Sequence, residues 1–434
     1  MLKTIEPKKM LRGIITLPGD KSISHRSAIF NAISKGYSKV TNFSQGEDCL
    51  STVNCLNQLG AKIYRDEMNP TTIEIEGSNS TFVKPSQNLD AGNSGTTLRL
   101  ISGILAAQPF YSSISGDYSL NRRPMERIIK PLTLMGAKVK SKLENGCPPL
   151  EFHSGNLNGI EYRMPVASAQ VKSCLMIAGL FAREKTIITE LAPTRDHSER
   201  MMINMGGEVV VNDQTIEITP GKLTSLSLDI PGDMSAAAFW LVAGAIHRDA
   251  AITVQNVGMN PSRTAIVNLL KEMGAKIIIT NLKEVGGEPV ADLAVETSEL
   301  HGLEIKGNMI PGLIDELPII AVAACFAKGK TIIDDAQELR AKESDRITSI
   351  VQELGRLNAK IEETTNGMII EGGNKLAGAS CNSHGDHRIA MAIAIAALNS
   401  DGNTNISNAE CVSISYPKFW ETLDSFNNEK TKNR

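Results

Sequence analysis

The stretch LNQLGAKI at residues 56–63 decides the fold. An apolar helical stripe stops at Gly60, and a run ending in a β-branched residue follows. A glycine in that place is the usual left-handed residue that ends a helix, and the run after it signals a strand. The same grammar returns as LTLMGAKV at 132–139, INMGGEVV at 203–210 and LKEMGAKI at 270–277. With an insertion, it returns once more as QELGRLNAKI at 352–361. Gly60, Gly136, Gly206, Gly274 and Gly355 then recur about every 70 residues, a spacing that marks repeated supersecondary units. A sixth helix, around 417–426, keeps the period without the phrase. Helix–glycine–strand is ordinary punctuation in any α/β protein, but five near-copies point to six α/β units, three in each of two domains.

A second phrase marks the joints. TLPGDKS at 16–22 is echoed by DIPGDMS at 229–235, with three units between them and three after. The chain is therefore expected to begin in one domain, build a second, and return. Residues 1–19 with 233–434 would form a discontinuous domain and 20–232 an inserted one. The crossings at 18–20 and 231–233 would make a hinge beside an active-site cleft.

Composition narrows the function classes. The 434 residues carry a net charge of −3, with 41% hydrophobic and 21% charged residues, the balance of a globular chain. No global basic field invites nucleic acid or an anionic membrane, and 4% aromatics offer no base-stacking platform. Seven scattered cysteines without CxxC spacing fit reduced thiols in the cytoplasm. The first residues hold no apolar run of signal-peptide length. The runs at 236–246 and 389–398 are too short to span a bilayer and read as buried helices.

Charge is instead concentrated locally. In LPGDKSISHRSAIFN at 17–31, Lys21, His25 and Arg26 crowd with three serines into the first turns of a helix. Cations are unfavourable at that positive end unless an anion neutralises them. DAGNSGTTLRL at 90–100 places Asn93, Ser94 and Gly95 before an apolar helix. It reads as an anion-binding helix start or equally as a plain capped helix. RRPMER at 122–127 is a guanidinium fork built on Arg123 and Arg127, or a solvated basic turn. PVASAQVKSCL at 165–175 sets Ser168, Ala169, Gln170 and Lys172 at a helix head, as recognition groups or as an ordinary serine cap. In TRDHSER at 194–200, Arg195 adds a cation, while His197 and Arg200 read as a capped or salt-bridged turn.

The later clusters mix acids with cations. PGLIDELP at 311–318 holds Asp315 and Glu316 at the border of an apolar helix. Such a carboxylate suits a general base, or simply pairs with the helix dipole. ELRAKESDRI at 338–347 alternates charge through Lys342, Glu343 and Arg346 and also reads as a solvated helix start. HGDHRIAM at 384–391 places Asp386, His387 and Arg388 directly before a buried run, which is costly unless these groups are paired or liganded. No HxH, HExxH or CxxC spacing offers a metal site, and GxxxxGK[ST], GxGxxG and GxSxG are all missing from the sequence. The chemistry expected is metal-free and cofactor-free, built on cations and carboxylates acting on small anionic substrates.

Together LPGDKSISHR, GNSGTTLRL, SLNRRPMER, SAQVKS, TRDHSER, IDELP, ELRAKESDR and GDHRIAMA, in this order across 17–417, resemble the 5-enolpyruvylshikimate-3-phosphate synthase family. The SAQxK and RPMxR wording resembles its bacterial class II branch. The resemblance implies a two-domain inside-out α/β barrel of six βαβαββ-type units. It implies transfer of the enolpyruvyl group of phosphoenolpyruvate to the 5-hydroxyl of shikimate 3-phosphate, in chorismate and aromatic amino-acid synthesis. Those two small molecules are the implied partners, with no nucleic acid and no membrane, and the implied state is a monomer.

Carried over motif by motif, Lys21, Ser22, Arg26, Ser168, Ala169, Gln170, Arg195, Asp315 and Lys342 would hold shikimate 3-phosphate. Lys21, Asn93, Gly95, Arg123, Gln170, Arg346 and Arg388 would hold phosphoenolpyruvate, with Lys342 reaching toward it. Asp315 would take the 5-hydroxyl proton, and Glu343 with Lys21 would manage the proton at the methylene carbon. Gly95 stands where a methyl group would crowd phosphoenolpyruvate, which implies sensitivity to glyphosate, an inhibitor of that site. Ile414 stands where some members carry a lysine, and Glu338 where other branches carry an asparagine. The sister transferase acting on a UDP-amino sugar uses a loop cysteine that no motif here supplies. A non-catalytic phosphometabolite-binding protein would have no use for Asp315, Glu343 and Lys21 together. Low aromatic content and net acidity disfavour an RNA-end-processing enzyme.

Overall fold

The repeated phrase is a helix cap followed by a strand. In the computed structural model, which describes residues 1–426, Gly60, Gly136, Gly206 and Gly274 take φ of 88°, 94°, 79° and 106°. That left-handed region suits glycine and ends each helix. The fifth copy corrects the expected pattern. Gly355 lies inside its helix, and Asn358, with φ 68°, takes the left-handed place. LGRLNAKI at 354–361 thus matches LNQLGAKI with no insertion, asparagine being the residue that best replaces glycine there.

The chain forms two compact units. One comprises 19–230 with 284–288, the other 1–18, 231–283 and 289 onward; the final residues of the segment expected to reach 434 lie outside the described residues. In the first unit the helices are α1 (Lys21–Ile33), α2 (Glu47–Gln58), α3 (Gly95–Leu105), α4 (Glu126–Leu134), α5 (Ala169–Leu180) and α6 (His197–Asn204). Its second module runs strand Leu89–Asp90, α3, strand Ser112–Ser115, α4, then strands Lys138–Ser141 and Leu150–His153. The first two strands pair parallel and the last two join antiparallel, which makes one βαβαββ module. The third module repeats this with Glu161–Arg163, α5, Thr186–Thr189, α6, Val209–Asn212 and Thr215–Ile218. The first module takes its parallel edge strand, Leu228–Asp229, from the end of the unit.

The discontinuous unit holds α7 (Met234–Ile246), α8 (Ala265–Glu272), a one-turn α9 (Ile310–Leu313), α10 (Leu317–Phe326), α11 (Arg346–Arg356), α12 (His387–Ala397) and α13 (Phe419–Ser425). Strand Leu11–Thr16, from before the crossing, pairs parallel with Ala250–Gly258 and completes the module of α7 and α8. In the last module Leu2–Ile5 pairs antiparallel with Thr404–Ser407, and α13 takes the second-helix place expected around 417–426.

Each unit buries helices and places sheets outside them. α7, α10 and α12 are apolar on all sides and pack on one another, as helices without a polar face must. In the other unit α3 packs on α5 and on α1, and α1 buries Ser24, His25, Arg26, Ser27 and Asn31 along with its apolar residues. The crossing phrase has a steric reason. A Cβ on Gly19 would lie 1.8 Å from the Asn42 carbonyl oxygen, so only glycine fits. The next residue, Asp20, caps α1 by accepting from the Ile23 N–H (2.9 Å), and Asp233 caps α7 by accepting from Ser235 N–H (2.8 Å). Among the described residues no single helix is long and apolar enough to cross a membrane.

Candidate active site

In the first unit the N-terminal turns of α1, α3 and α5 meet. Lys21 opens α1 and pairs with Asp48 of α2 at 2.9 Å. Arg26, one turn on, is 2% exposed. Its Nε donates to Ser198 Oγ and one terminal nitrogen to Ser173 Oγ, each at 2.7 Å; the other donates to the Ser22 carbonyl at 2.9 Å. These acceptors are neutral, so they orient the guanidinium without cancelling its charge. Burial pulls the Arg26 pKa down to about 10, with Glu199 and Asp20 opposing the fall, and it stays cationic at neutral pH. His25 is buried and pushed down to about 3; it is neutral and structural. Its Nδ1 meets Thr52 Oγ1, which meets Thr97 Oγ1, each at 2.7 Å, tying α1, α2 and α3 together.

Ser94 caps α3 by accepting from the Thr97 N–H at 3.0 Å. Asn93 donates to Asp117 at 2.6 Å and accepts from Arg123 at 3.5 Å. A Cβ on Gly95 would lie 3.0 Å from an Arg99 terminal nitrogen and 3.7 Å from one of Arg123. Gln170 of α5 accepts from Arg99 and donates to Thr96 Oγ1 at 2.8 Å. Ser168 caps α5, and the Ala169 carbonyl accepts from Ser173 Oγ at 2.7 Å. Asn93, Gly95, Arg123 and Gln170 therefore share one patch, and Arg26 and Ser173 the next. Arg195 lies in the loop before α6, within electrostatic reach of Arg26. Arg127 is exposed, and Pro124 precedes α4 by two residues.

The discontinuous unit brings together the N-termini of α7, α10 and α12. Ser235 Oγ donates to Glu316, the N-cap residue of α10. Arg388 of α12 donates to the Asp315 carbonyl at 2.7 Å and lies 3.8 Å from the Glu316 carboxylate. The Asp315 carboxylate faces Lys342 at 3.9 Å, Arg346 at 3.7 Å and Arg388 at 3.9 Å. These distances exceed a hydrogen bond, so the three cations surround Asp315 without being saturated by it. Arg346 is fully buried and bonds Asp386 at 2.8 Å and Glu343 at 2.5 Å. Burial works against its charge, but Asp386, Glu343 and Asp315 outweigh that and raise its pKa. Burial likewise works against ionising Asp386, yet Arg346 holds the carboxyl below the usual range.

The expected residues thus fall in two clusters: Lys21, Ser22, Arg26, Asn93, Gly95, Arg123, Ser168, Ala169, Gln170 and Arg195 in one unit, and Asp315, Lys342, Glu343, Arg346 and Arg388 in the other. Glu338 lies 3.8 Å from Lys342. Ile414 packs against the core of the discontinuous unit, so the late position supplies no cation. Sequence reading missed Asp48, Arg99, Ser198 and Arg263. Arg99 was within reach, because it follows Gly95 by one helical turn. Arg263 comes within 3.8 Å of Glu316 from a loop with no motif to mark it.

Comparison with known proteins gives the family. The profile of the EPSP synthase (3-phosphoshikimate 1-carboxyvinyltransferase) family matches residues 5–423. A 3-phosphoshikimate 1-carboxyvinyltransferase of Thermoanaerobacter sp. (strain X514) is 48% identical over 421 residues, covering 97% of this chain and 99% of that one. The protein of the same name from Desulforamulus reducens is 49% identical over 423 residues, covering 96% and 98%. The solved structure of an EPSP synthase from Acinetobacter baumannii superposes with a TM-score of 0.89 at 41% identity, covering 98% of each chain. With two units of three modules and both charged clusters carried on the expected motifs, the chain belongs to the EPSP synthase family.

Proposed function

We propose that this chain transfers the enolpyruvyl group of phosphoenolpyruvate to the 5-hydroxyl of shikimate 3-phosphate and releases phosphate, as a cytoplasmic enzyme of aromatic amino-acid synthesis. The observation that carries this reading is Asp315, a carboxylate facing Lys342, Arg346 and Arg388 at 3.7 to 3.9 Å with Glu343 on the same arginine. A carboxylate set among cations can take a substrate proton while those cations hold the substrate's anionic groups.

Roles follow from charge and chemistry. Lys21, Ser22, Arg26, Ser168, Ala169, Gln170 and Arg195 hold the phosphate and ring of shikimate 3-phosphate, and Asp315 and Lys342 hold its hydroxyl side. Lys21, Asn93, Gly95, Arg123, Gln170, Arg346 and Arg388 receive the carboxylate and phosphate of phosphoenolpyruvate. Asp315 takes the 5-hydroxyl proton as the oxygen bonds to the enol carbon, while Glu343 with Lys21 delivers a proton to the methylene carbon. The resulting tetrahedral adduct breaks its carbon–oxygen bond to phosphate and loses a proton from the newly formed methyl group, restoring the double bond. Cations stabilise the departing phosphate. Each step is proton transfer and charge stabilisation by the chain's own groups.

The test is phosphate release from phosphoenolpyruvate by purified protein, with no added metal or nucleotide. Release only in the presence of shikimate 3-phosphate is expected, and Asp315→Asn should lower kcat by roughly 10²–10⁴-fold, the usual worth of a positioned general base. Release with a UDP-amino sugar instead of shikimate 3-phosphate would overturn the reading, as would an Asp315→Asn variant of undiminished kcat.

A further inference from the structure

Behind Arg26 lies a charged cluster to which the transfer reaction assigns no part. Lys172 of α5 has an exposure of 0%, Glu190 after strand Thr186–Thr189 5%, and Glu199 of α6 3%. The Lys172 ammonium bonds Glu190 at 3.1 Å and Glu199 at 2.6 Å. Burying three ions costs several kcal/mol each in lost hydration, and an apolar trio of the same volume would be as stable or more so. Stability therefore does not explain the cluster, and its connections suggest another use.

Both carboxylates lead to proposed phosphate ligands. The neighbour of Glu199 in sequence, Ser198, accepts from Arg26 and shares a 2.7 Å hydrogen bond with Ser173, the residue after Lys172. Ser173 is itself the second hydroxyl partner of Arg26. Glu190 accepts from the Thr194 hydroxyl, and Thr194 precedes Arg195. One ammonium between two carboxylates leaves net negative charge directly behind two guanidiniums that repel each other. Glu199 is the carboxylate acting most strongly on Arg26, whereas Arg195 opposes its charge. Glu199 Oε1 takes the Lys172 ammonium, while Oε2 is buried without a hydrogen-bond partner; burial pushes the Glu199 carboxyl up and Lys172 pulls it back down.

We propose that Lys172, Glu190 and Glu199 form a positioning triad that holds Arg26, through Ser173 and Ser198, and Arg195, through Thr194, in place for the phosphate of shikimate 3-phosphate. This rests on the functional reading above and deepens it. Lys172 fixes the two carboxylates against one another. Each carboxylate fixes the chain segment that presents an arginine, and their excess negative charge offsets the repulsion between the arginines. None of the three touches substrate. They act on the phosphate half of the ligand alone, so the shikimate ring should not sense them.

Isothermal titration of the full-length protein with shikimate 3-phosphate and, separately, with unphosphorylated shikimate tests this. Glu190→Gln should raise Kd for shikimate 3-phosphate by roughly tenfold, the scale of one weakened charge-assisted contact, and leave Kd for shikimate unchanged. Thr194→Val removes only the hydroxyl link from a half-buried loop, avoids a buried charge change, and should shift the same ratio in the same direction. Equal weakening toward both ligands, or unaltered binding of both in Thr194→Val and Glu190→Gln, would overturn the triad while leaving the functional reading intact. Wild-type protein that fails to bind shikimate 3-phosphate would overturn both.

Discussion

The ion pair between Arg346 and Asp386 is the most exacting test of how the discontinuous unit is held together. Both side chains are buried, at 2% and 0% exposure. Asp386 Oδ2 accepts from Arg346 Nε at 2.8 Å and from Ser344 Oγ at 3.2 Å, and Oδ1 accepts from the Arg388 N–H at 2.9 Å and more distantly from Arg346 at 3.5 Å. Every contact demands an acceptor. Asp386→Asn keeps the shape but has one acceptor oxygen, so either rotamer turns an NH2 toward a donor. The substitution also leaves a buried guanidinium short of one counter-charge. Removing one partner of such a pair costs about 3 kcal/mol or more.

The assay has a built-in reporter. Both tryptophans, Trp240 and Trp420, lie in the discontinuous unit, and Trp240 is fully buried. Their emission follows unfolding of that unit alone. With a urea slope of ~3 kcal/mol per M, the midpoint should fall by about 1 M at neutral pH. The pH dependence has a definite sign. The folded carboxyl is held below its ordinary value, so its contribution is complete above the unfolded pKa of about 3.9 and fades as pH falls through the folded value. The gap between wild type and variant should therefore be constant from pH 7 to about 5 and narrow below ~4. An unchanged midpoint at pH 7 would refute the pairing argument. A gap that persists undiminished into acid would show that packing, not charge, was lost.

Two further outcomes follow. Gly95 begins α3 without a positive φ, and an added methyl would meet only the ends of Arg99 and Arg123. Gly95→Ala should keep the thermal midpoint, raise KM for phosphoenolpyruvate and weaken glyphosate inhibition; steady-state kinetics with unchanged inhibition would sink the steric reading. Asn358 holds the left-handed place of the fifth repeat. Asn358→Ala should lower the tryptophan-monitored stability by about 1 kcal/mol, the penalty for alanine in that region, while Asn358→Gly should leave it equal or higher.

The legible parts of the molecule were those written in short-range code. A helix, a left-handed residue and a strand are contiguous, so the phrase at 56–63 and its copies revealed the modules. The code failed at Gly355 because a nearby glycine drew the reading away from Asn358, which does the same work with a different residue. The cations at helix starts were visible because the helix dipole makes them conspicuous there. What they pair with was not, since Asp48, Ser198 and Glu190 come from other elements and no local rule selects them. Arg263 carries no motif, and only folding brings it beside Glu316. The strands that complete the first module of each unit were hidden for the same reason, as Leu228–Asp229 and Leu11–Thr16 reach their sheets from the far side of a crossing.

The layering accounts for where the charges had to go. With sheets outside and helices inside, each unit gathers the N-terminal turns of its three core helices: α1, α3 and α5 in one, α7, α10 and α12 in the other. Contacts between those turns show it directly, from Arg26 to Ser173 and Arg99 to Gln170 in the first unit, and from Ser235 to Glu316 and Arg388 to Asp315 in the second. Each N-terminus carries roughly half a positive charge, so three together make a positive focus before any side chain is counted. A soluble surface would answer that focus with acids, and Asp20, Asp233 and Asp386 do so as caps. Yet the chain adds Lys21, Arg26, Arg346 and Arg388 to the same places. Asp48 answers Lys21, and Asp386 and Glu343 answer Arg346, within the fold, whereas Arg26 bonds only neutral acceptors and Arg388 donates to a backbone carbonyl. The fold thus concentrates positive charge at these helix ends, where an anionic substrate adds a further counter-charge.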